Sequence, residues 1–126
     1  MSPPDLMEVA RPTRYPIDAF HFVQRGLEFT VEQIHGDLDP KADSMSRHVS
    51  GEALCHGMRD FAIQEYGLLA RTVLNHWNVT SSEDFGSIVF AMVDANLLAK
   101  TDDDSLDDFR DVFDFDSTFG ESLTLT

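Results

Sequence analysis

After Trp77 the chain reads NVTSSEDFGSIVFAMV, and Phe85, Ile88, Val89, Met92 and Val93 return at three- and four-residue steps. That period lays them along one face of an α-helix, and a face this apolar has to be buried against other elements. The helix also carries a start signal. Thr80 is a capping residue, and Glu83 stands three places on, where its carboxylate reaches back to the cap N–H. Asn78 and Val79 form the tight turn before it. Leu68 to Trp77, with Leu69, Val73 and Trp77 on one side, predicts a helix on the near side of that turn. The pair has the order of a helix-turn-helix.

Two further helices are predicted upstream. In YPIDAFHFVQRGLEFTVEQIHG, Phe20, Val23, Leu27, Val31 and Ile34 make one apolar stripe. Pro16 suits the first helical position, Asp18 lies where the helix dipole favours an acid, and Gly36 is a terminator. In HVSGEALCHGMRDFAIQEYG, Ser50 is an N-cap, and Val49 and Leu54 stand where a hydrophobic staple closes. Leu54, Met58, Phe61 and Tyr66 supply the inner face, and Gly67 breaks or bends the helix. Residues 1–14 contain three prolines and little periodicity, so they are expected as a flexible arm. Residues 37–47 are expected as a mobile loop and 117–126 as a loose acidic and polar tail. Between them, Phe109, Phe113 and Phe115 fall at odd positions, which fits a strand pairing with LLAKT as a hairpin. A short helix beginning at Ser105 is the rival. The expected fold is therefore mainly α. A compact three- to four-helix domain over 15–116 has a helix-turn-helix-like core and a small C-terminal β-hairpin, and is winged-helix-like. Phe20, Phe61, Trp77, Phe85 and Phe90 meet in its core.

Charge and composition narrow the function. A chain of 126 residues buries roughly two-thirds of its unfolded surface, so it needs no metal or disulfide to fold. Its ten Phe point to an aromatic core, and its single Cys55 makes no internal disulfide. The start of the chain has no apolar signal region, and no apolar run approaches the ~20 residues of a membrane span, so a cytoplasmic location is expected. Net charge is −14. Residues 102–126 hold nine acids and one base, and this surface repels phosphate backbones.

Individual chemistries can then be tested. Asp84-Phe85-Gly86 spells a kinase magnesium loop, but no glycine-rich loop, strand lysine or catalytic-loop Asp accompanies it. A DNA-reading helix needs Arg, Lys, Asn or Gln on its outer face. Here that face would carry Asp84, Ser87, Ala91 and Asp94. The five histidines, His21, His35, His48, His56 and His76, show no metal-ligand spacing, and Cys55 has no Cys-x-x-Cys partner. The Asp run fails the calcium-loop pattern, because Leu106 fills its third acidic position and Asp107 replaces its glycine. Asn78-Val79-Thr80 matches a glycosylation sequon but reads as a turn and a cap. No cofactor or metal is implied.

Several blocks also carry a resemblance: YPIDAFHFVQRGLEFT (15–30), HVSGEAL (48–54), YGLLARTVLNHWNVTSSEDFGSIVFAMV (66–93), LLAKTDDDSLDDF (97–109) and VFDF (112–115). Together they resemble a small family of uncharacterised, "repeat-like" bacterial proteins, similar to chains of planctomycetes and verrucomicrobia. The likeness runs over roughly 14–119. It implies a shared fold and a bacterial setting, and transfers no catalytic residue. The family pattern has Gly where Asn78 stands, which implies a left-handed turn residue there.

The expected function is a non-enzymatic protein-interaction or regulatory module with an acidic contact surface at Asp102, Asp103, Asp104, Asp107 and Asp108, facing a protein with a basic surface. One alternative is a winged-helix-like nucleic-acid-binding transcriptional regulator, whose phosphate contacts would come from Arg25, Arg47, Arg59 and Arg71. A second is a small enzyme using His48, Cys55 and His56.

Overall fold

The computed structural model describes residues 5–36, 49–98 and 104–120. It is mainly α, with no strand among the described residues. The elements in chain order are α1 (Leu6–Ala10), α2 (Ile17–His35), α3 (Gly51–Tyr66), a 3-10 turn (Gly67–Leu69), α4 (Ala70–His76), α5 (Ser82–Asp94), a second 3-10 turn (Leu106–Phe109) and α6 (Phe115–Phe119). No helix among the described residues is long and apolar enough to cross a membrane.

α2 and α3 form the central pair. They approach closely because each offers a glycine at the crossing. A Cβ on Gly57 would sit 1.8 Å from Thr30 Oγ1, and one on Gly26 would sit 2.4 Å from Met58 Sδ. Thr30 tolerates this dry contact because its hydroxyl donates back to Gly26 O at 2.7 Å. Gly57→Ala is therefore expected to destabilise the protein by about 1–3 kcal/mol through overpacking. Combining it with Thr30→Ala should restore part of that loss, because the two sites share one contact. Urea unfolding of the two single variants and the double variant measures both quantities.

Phe22 sits at the centre of the core, 1% exposed. Its ring lies 5.3 Å from Phe61, 5.6 Å from Trp77, 6.2 Å from Tyr66 and 6.4 Å from Phe85. Phe20, Phe61 and Phe85 are buried as the periodicity predicts, and Trp77 and Phe90 pack partly buried against them. The predicted α2 stripe is too narrow, however. α2 packs against α1 and α5 as well as α3, so Ala19 and Phe22 are buried too, and Thr30 is buried against Gly57 of α3, while Ile34, at the end of the stripe, is 51% exposed.

Helix ends follow the expected chemistry, with two shifts, the first being that Pro16 is the N-cap of α2, one residue before the first helical position expected for it. Ser50 caps α3 by accepting from Ala53 N–H at 3.1 Å. Gly36 and Gly67 close α2 and α3 at positive φ. α4 ends in a Schellman motif. Asn78 takes φ 66°, Val79 N–H reaches Leu74 O at 2.9 Å, and the Val79 and Leu74 side chains are both buried. The left-handed residue implied at Asn78 is present. The α5 cap is Ser81 paired with Asp84, one residue later than the expected Thr80 and Glu83. Either pair satisfies the spacing rule. The later one prevails because it turns Asp84 inward, and Glu83 is then released to bond the backbone of Asp111.

Three expectations need correction. The wing is not a hairpin over its described part. Residues 106–109 form a 3-10 turn capped by Ser105 and Asp108, which is the rival helix start, and residues 115–119 are helical. Of the proposed partner strand LLAKT, Leu97 and Leu98 belong to the turn after α5, and 99–101 lie outside the described residues. Within the expected N-terminal arm, residues 6–10 are the helix α1, capped by Asp5, and its Val9 and Ala10 join the core. Within the expected tail, Phe119 belongs to α6 and packs on Phe113 and Phe115, while 121–126 lie outside the described residues. The expected loop at 37–47 also lies outside them.

Candidate functional site

The acidic segment is anchored by Phe109. That ring lies against the backbones of Gly51, at the start of α3, and Gly86, in α5, where Cβ atoms would come within 3.0 Å and 2.7 Å of it. It meets Phe90 edge-on at 6.2 Å. The first turn of α5 then clasps the following backbone. Ser82 Oγ donates to Phe109 O at 2.6 Å and accepts from Val112 N–H at 3.1 Å. Glu83 Oε1 accepts from Asp111 N–H at 2.7 Å. A turn that is acidic and exposed is thus held in one place by a buried ring and three hydrogen bonds.

The five predicted contact residues fare differently. Asp102 and Asp103 lie outside the described residues. Asp108 is a capping group, accepting from Ser105 N–H at 3.0 Å. Asp107 pairs with Arg110 at 2.8 Å, both exposed, and a pair of that kind contributes little to stability. Asp104 stands half-buried just before the cap. Leu106 is 50% exposed among these carboxylates.

The surface is also wider than the sequence segment. Glu52 and Glu83 sit in the first turns of α3 and α5, the two helices whose glycines hold Phe109, and Asp111 follows the turn. Both glutamates are close enough to Cys55 for their charges to act on its thiol. Helix N-termini favour these acids locally through the backbone dipole, so the convergence of negative charge is compatible with folding. Asp111 belongs to the acidic segment already read from the sequence, but sequence spacing missed Glu52 and Glu83 because they come from two separate stretches. Among the described residues no group of three His, Cys, Asp or Glu side chains could hold a metal ion.

Cys55 and His56 do not form a pair. Cys55 is fully buried, and burial, reinforced by Glu83 and Glu52, pushes its thiol up to about 12. Such a thiol is protonated at neutral pH and is a poor nucleophile. His56 lies half-exposed, 3.0 Å from an Arg59 nitrogen and 3.9 Å from Glu52. His48 lies outside the described residues. The arginines weighed for phosphate contact are also engaged. Arg25 lies over the Phe61 ring, Arg59 bonds Asp60 at 2.8 Å, and Arg71 forms an ion pair with Asp116 at 2.8 Å while covering Phe115. Arg47 lies outside the described residues.

A second cluster was not anticipated. Asp84, expected on the outer face of α5, is 3% exposed. One carboxylate oxygen accepts from Arg14 and from the Tyr15 hydroxyl. The other accepts from Thr80 N–H at 2.8 Å and Ser81 N–H at 3.1 Å, with both hydroxyls close by. Burial alone would push this carboxyl up. The bonds from Tyr15, the Thr80 N–H and Arg14 outweigh it and hold the carboxyl below its ordinary range. Asn78 Nδ2 adds a 2.7 Å bond to Arg14 O. With every acceptor direction occupied, Asp84 has the geometry of a structural tie between the N-terminal segment and α5, not of a general base. The available signal was its position as a first-turn acid, but nothing in its spacing reveals a partner seventy residues away.

Comparison of the chain with protein-family models, with curated proteins and with solved structures finds no match.

Proposed function

We propose that this protein is a non-enzymatic interaction or regulatory module that engages a basic surface on another protein through the acidic face around residues 104–111. The observation that carries this reading is an exposed leucine, Leu106, set among carboxylates on a turn fixed by Phe109. Pre-fixed contacts lose less entropy on association, and an apolar residue ringed by charge supplies both contact area and steering. The bacterial kinship drawn from residues 14–119 and a cytoplasmic setting belong to the same proposal.

The test is affinity purification from the native cell with mass spectrometry, comparing wild type with a variant carrying Asn at Asp102, Asp103, Asp104, Asp107 and Asp108. A control neutralises Asp18, Glu28, Glu32, Glu65 and Asp94, which are exposed elsewhere. The expected result is loss of partners from the first variant and retention by the control, with both giving native circular dichroism. Retention of every partner by the first variant would sink the reading.

A further inference from the structure

Arg11 is anomalous in a chain with 23 acids and nine bases. Among the described residues Arg14, Arg59, Arg71 and Arg110 each hold a carboxylate and Arg25 lies over a ring, whereas Arg11 has neither partner. It follows the last turn of α1 on the rim of an open groove of about 400 Å³, formed by α1, the start of α2 and the end of α4. None of the ten described residues lining this groove is acidic. Met7, Ala10, Pro16 and Ile17 give it an apolar part, and Arg11, Arg14 and His76 are its basic members. Arg14 is held in place by Asp84 and Tyr15 and still keeps most of its side chain exposed.

We infer that this groove docks an extended acidic peptide of a partner protein, with an apolar side chain between carboxylates. The openness of the groove favours a peptide, since small-molecule sites enclose most of their ligand. Charge complementarity selects the acid: an unpaired arginine offers a planar fork matched to a carboxylate, and a neighbouring arginine is already oriented. Exposed Met7 is an adaptable contact for the apolar side chain. The overall negative charge of the chain does not forbid this: at physiological salt fields are screened beyond about 8 Å, which leaves Arg11 as the groove's uncompensated cation, with the exposed part of Arg14 beside it. This site is independent of the acidic face proposed above, and either can fail alone.

The probe is a fluorescein-labelled, end-blocked peptide of sequence Asp-Asp-Leu-Asp-Asp, titrated with the full chain at 0.15 M salt and followed by anisotropy. Arg11→Glu is expected to weaken binding at least tenfold. Arg59→Glu makes the same charge change on α3 and is expected to weaken it less than twofold. Equal losses in the two variants, or no wild-type binding at millimolar protein, overturn the proposal. Sedimentation of the wild type alone provides a second check. Concentration-dependent association that Arg11→Glu abolishes would assign the groove to a second copy of this chain and overturn the partner reading.

Discussion

Phe22→Ala is expected to lower the unfolding free energy by about 3–5 kcal/mol, the range for removing a fully buried phenylalanine. Four aromatic neighbours lie with ring centroids 5.3–6.4 Å away, from α3, from the end of α4 and from α5. Each tilted or offset pair adds to simple area burial, and rings held by several helices close poorly over a void. For a domain whose total stability is about 5–15 kcal/mol, the variant should be near its folding limit, with a melting temperature lower by about 10–20 °C. Ile34→Ala provides the contrast. Ile34 lies on the stripe that periodicity predicts for α2, yet it is 51% exposed, so its truncation should change stability by no more than about 0.5 kcal/mol. Thermal and urea unfolding of both variants measures the difference. Similar losses from the two would mean that α2 buries the predicted stripe and not the wider face.

The contrast between Phe22 and Ile34 shows where periodicity stops being informative. A three- and four-residue repeat identifies one buried face, and the reading succeeds for α3 and α5, where Leu54, Met58, Phe61, Phe85, Ile88 and Met92 are buried. α2 is covered from more than one direction, by α1, α3 and α5, and a single-face template then misplaces its edges. Local backbone chemistry was legible for a different reason. Ser50 and Gly36 act within a few residues of themselves, and the turn at Asn78 and Val79 is equally local, so these ends follow from short-range sterics and hydrogen bonding; the left-handed backbone of Asn78 is implied only by the resemblance.

The C-terminal region was ambiguous because Phe109, Phe113 and Phe115 satisfy both a two-residue and a helical period. The decision comes from tertiary packing. Phe109 seats on glycines 58 and 23 positions upstream, and Ser82 and Glu83 hold the backbone that follows. Sequence spacing has no means of registering those contacts. The candidate acidic surface was legible as a run of Asp, but its extension to Glu52 and Glu83 depends on α3 and α5 beginning beside one another. The arginine-bearing groove depends on a short helix in a segment whose prolines read as an arm.

Asp84 gives the second large effect, and its size depends on pH. Asp84→Ala removes the N3 half of the α5 capping box, leaves the Tyr15 hydroxyl without its buried partner and frees Arg14 from the N-terminal tie. Losing the capping-box acceptor costs about 1 kcal/mol and leaving the buried Tyr15 hydroxyl unpaired costs about 1–3 kcal/mol, while Arg14 is left in water, so a loss of about 2–4 kcal/mol is expected at pH 7. Asp84→Asn keeps the shape and removes the charge, which isolates the electrostatic part. Because the folded-state carboxyl is held below its ordinary value of 3.8, the contribution is fully present above that value and is lost as pH falls through the lower folded-state pKa. The wild type should therefore lose stability below about pH 4 more steeply than Asp84→Asn, and the gap between them should narrow toward the acid end. Equilibrium urea unfolding at pH 7, 4, 3 and 2 supplies the comparison. Tyr15→Phe adds an independent arm: it deletes one bond to the carboxylate and keeps the ring, so it should cost less than either Asp84 change and should shallow the acid limb in the same direction. If the three variants and the wild type lose stability in parallel from pH 7 to pH 2, Asp84 is not ionised in the folded protein and the tie between Arg14 and α5 is not electrostatic.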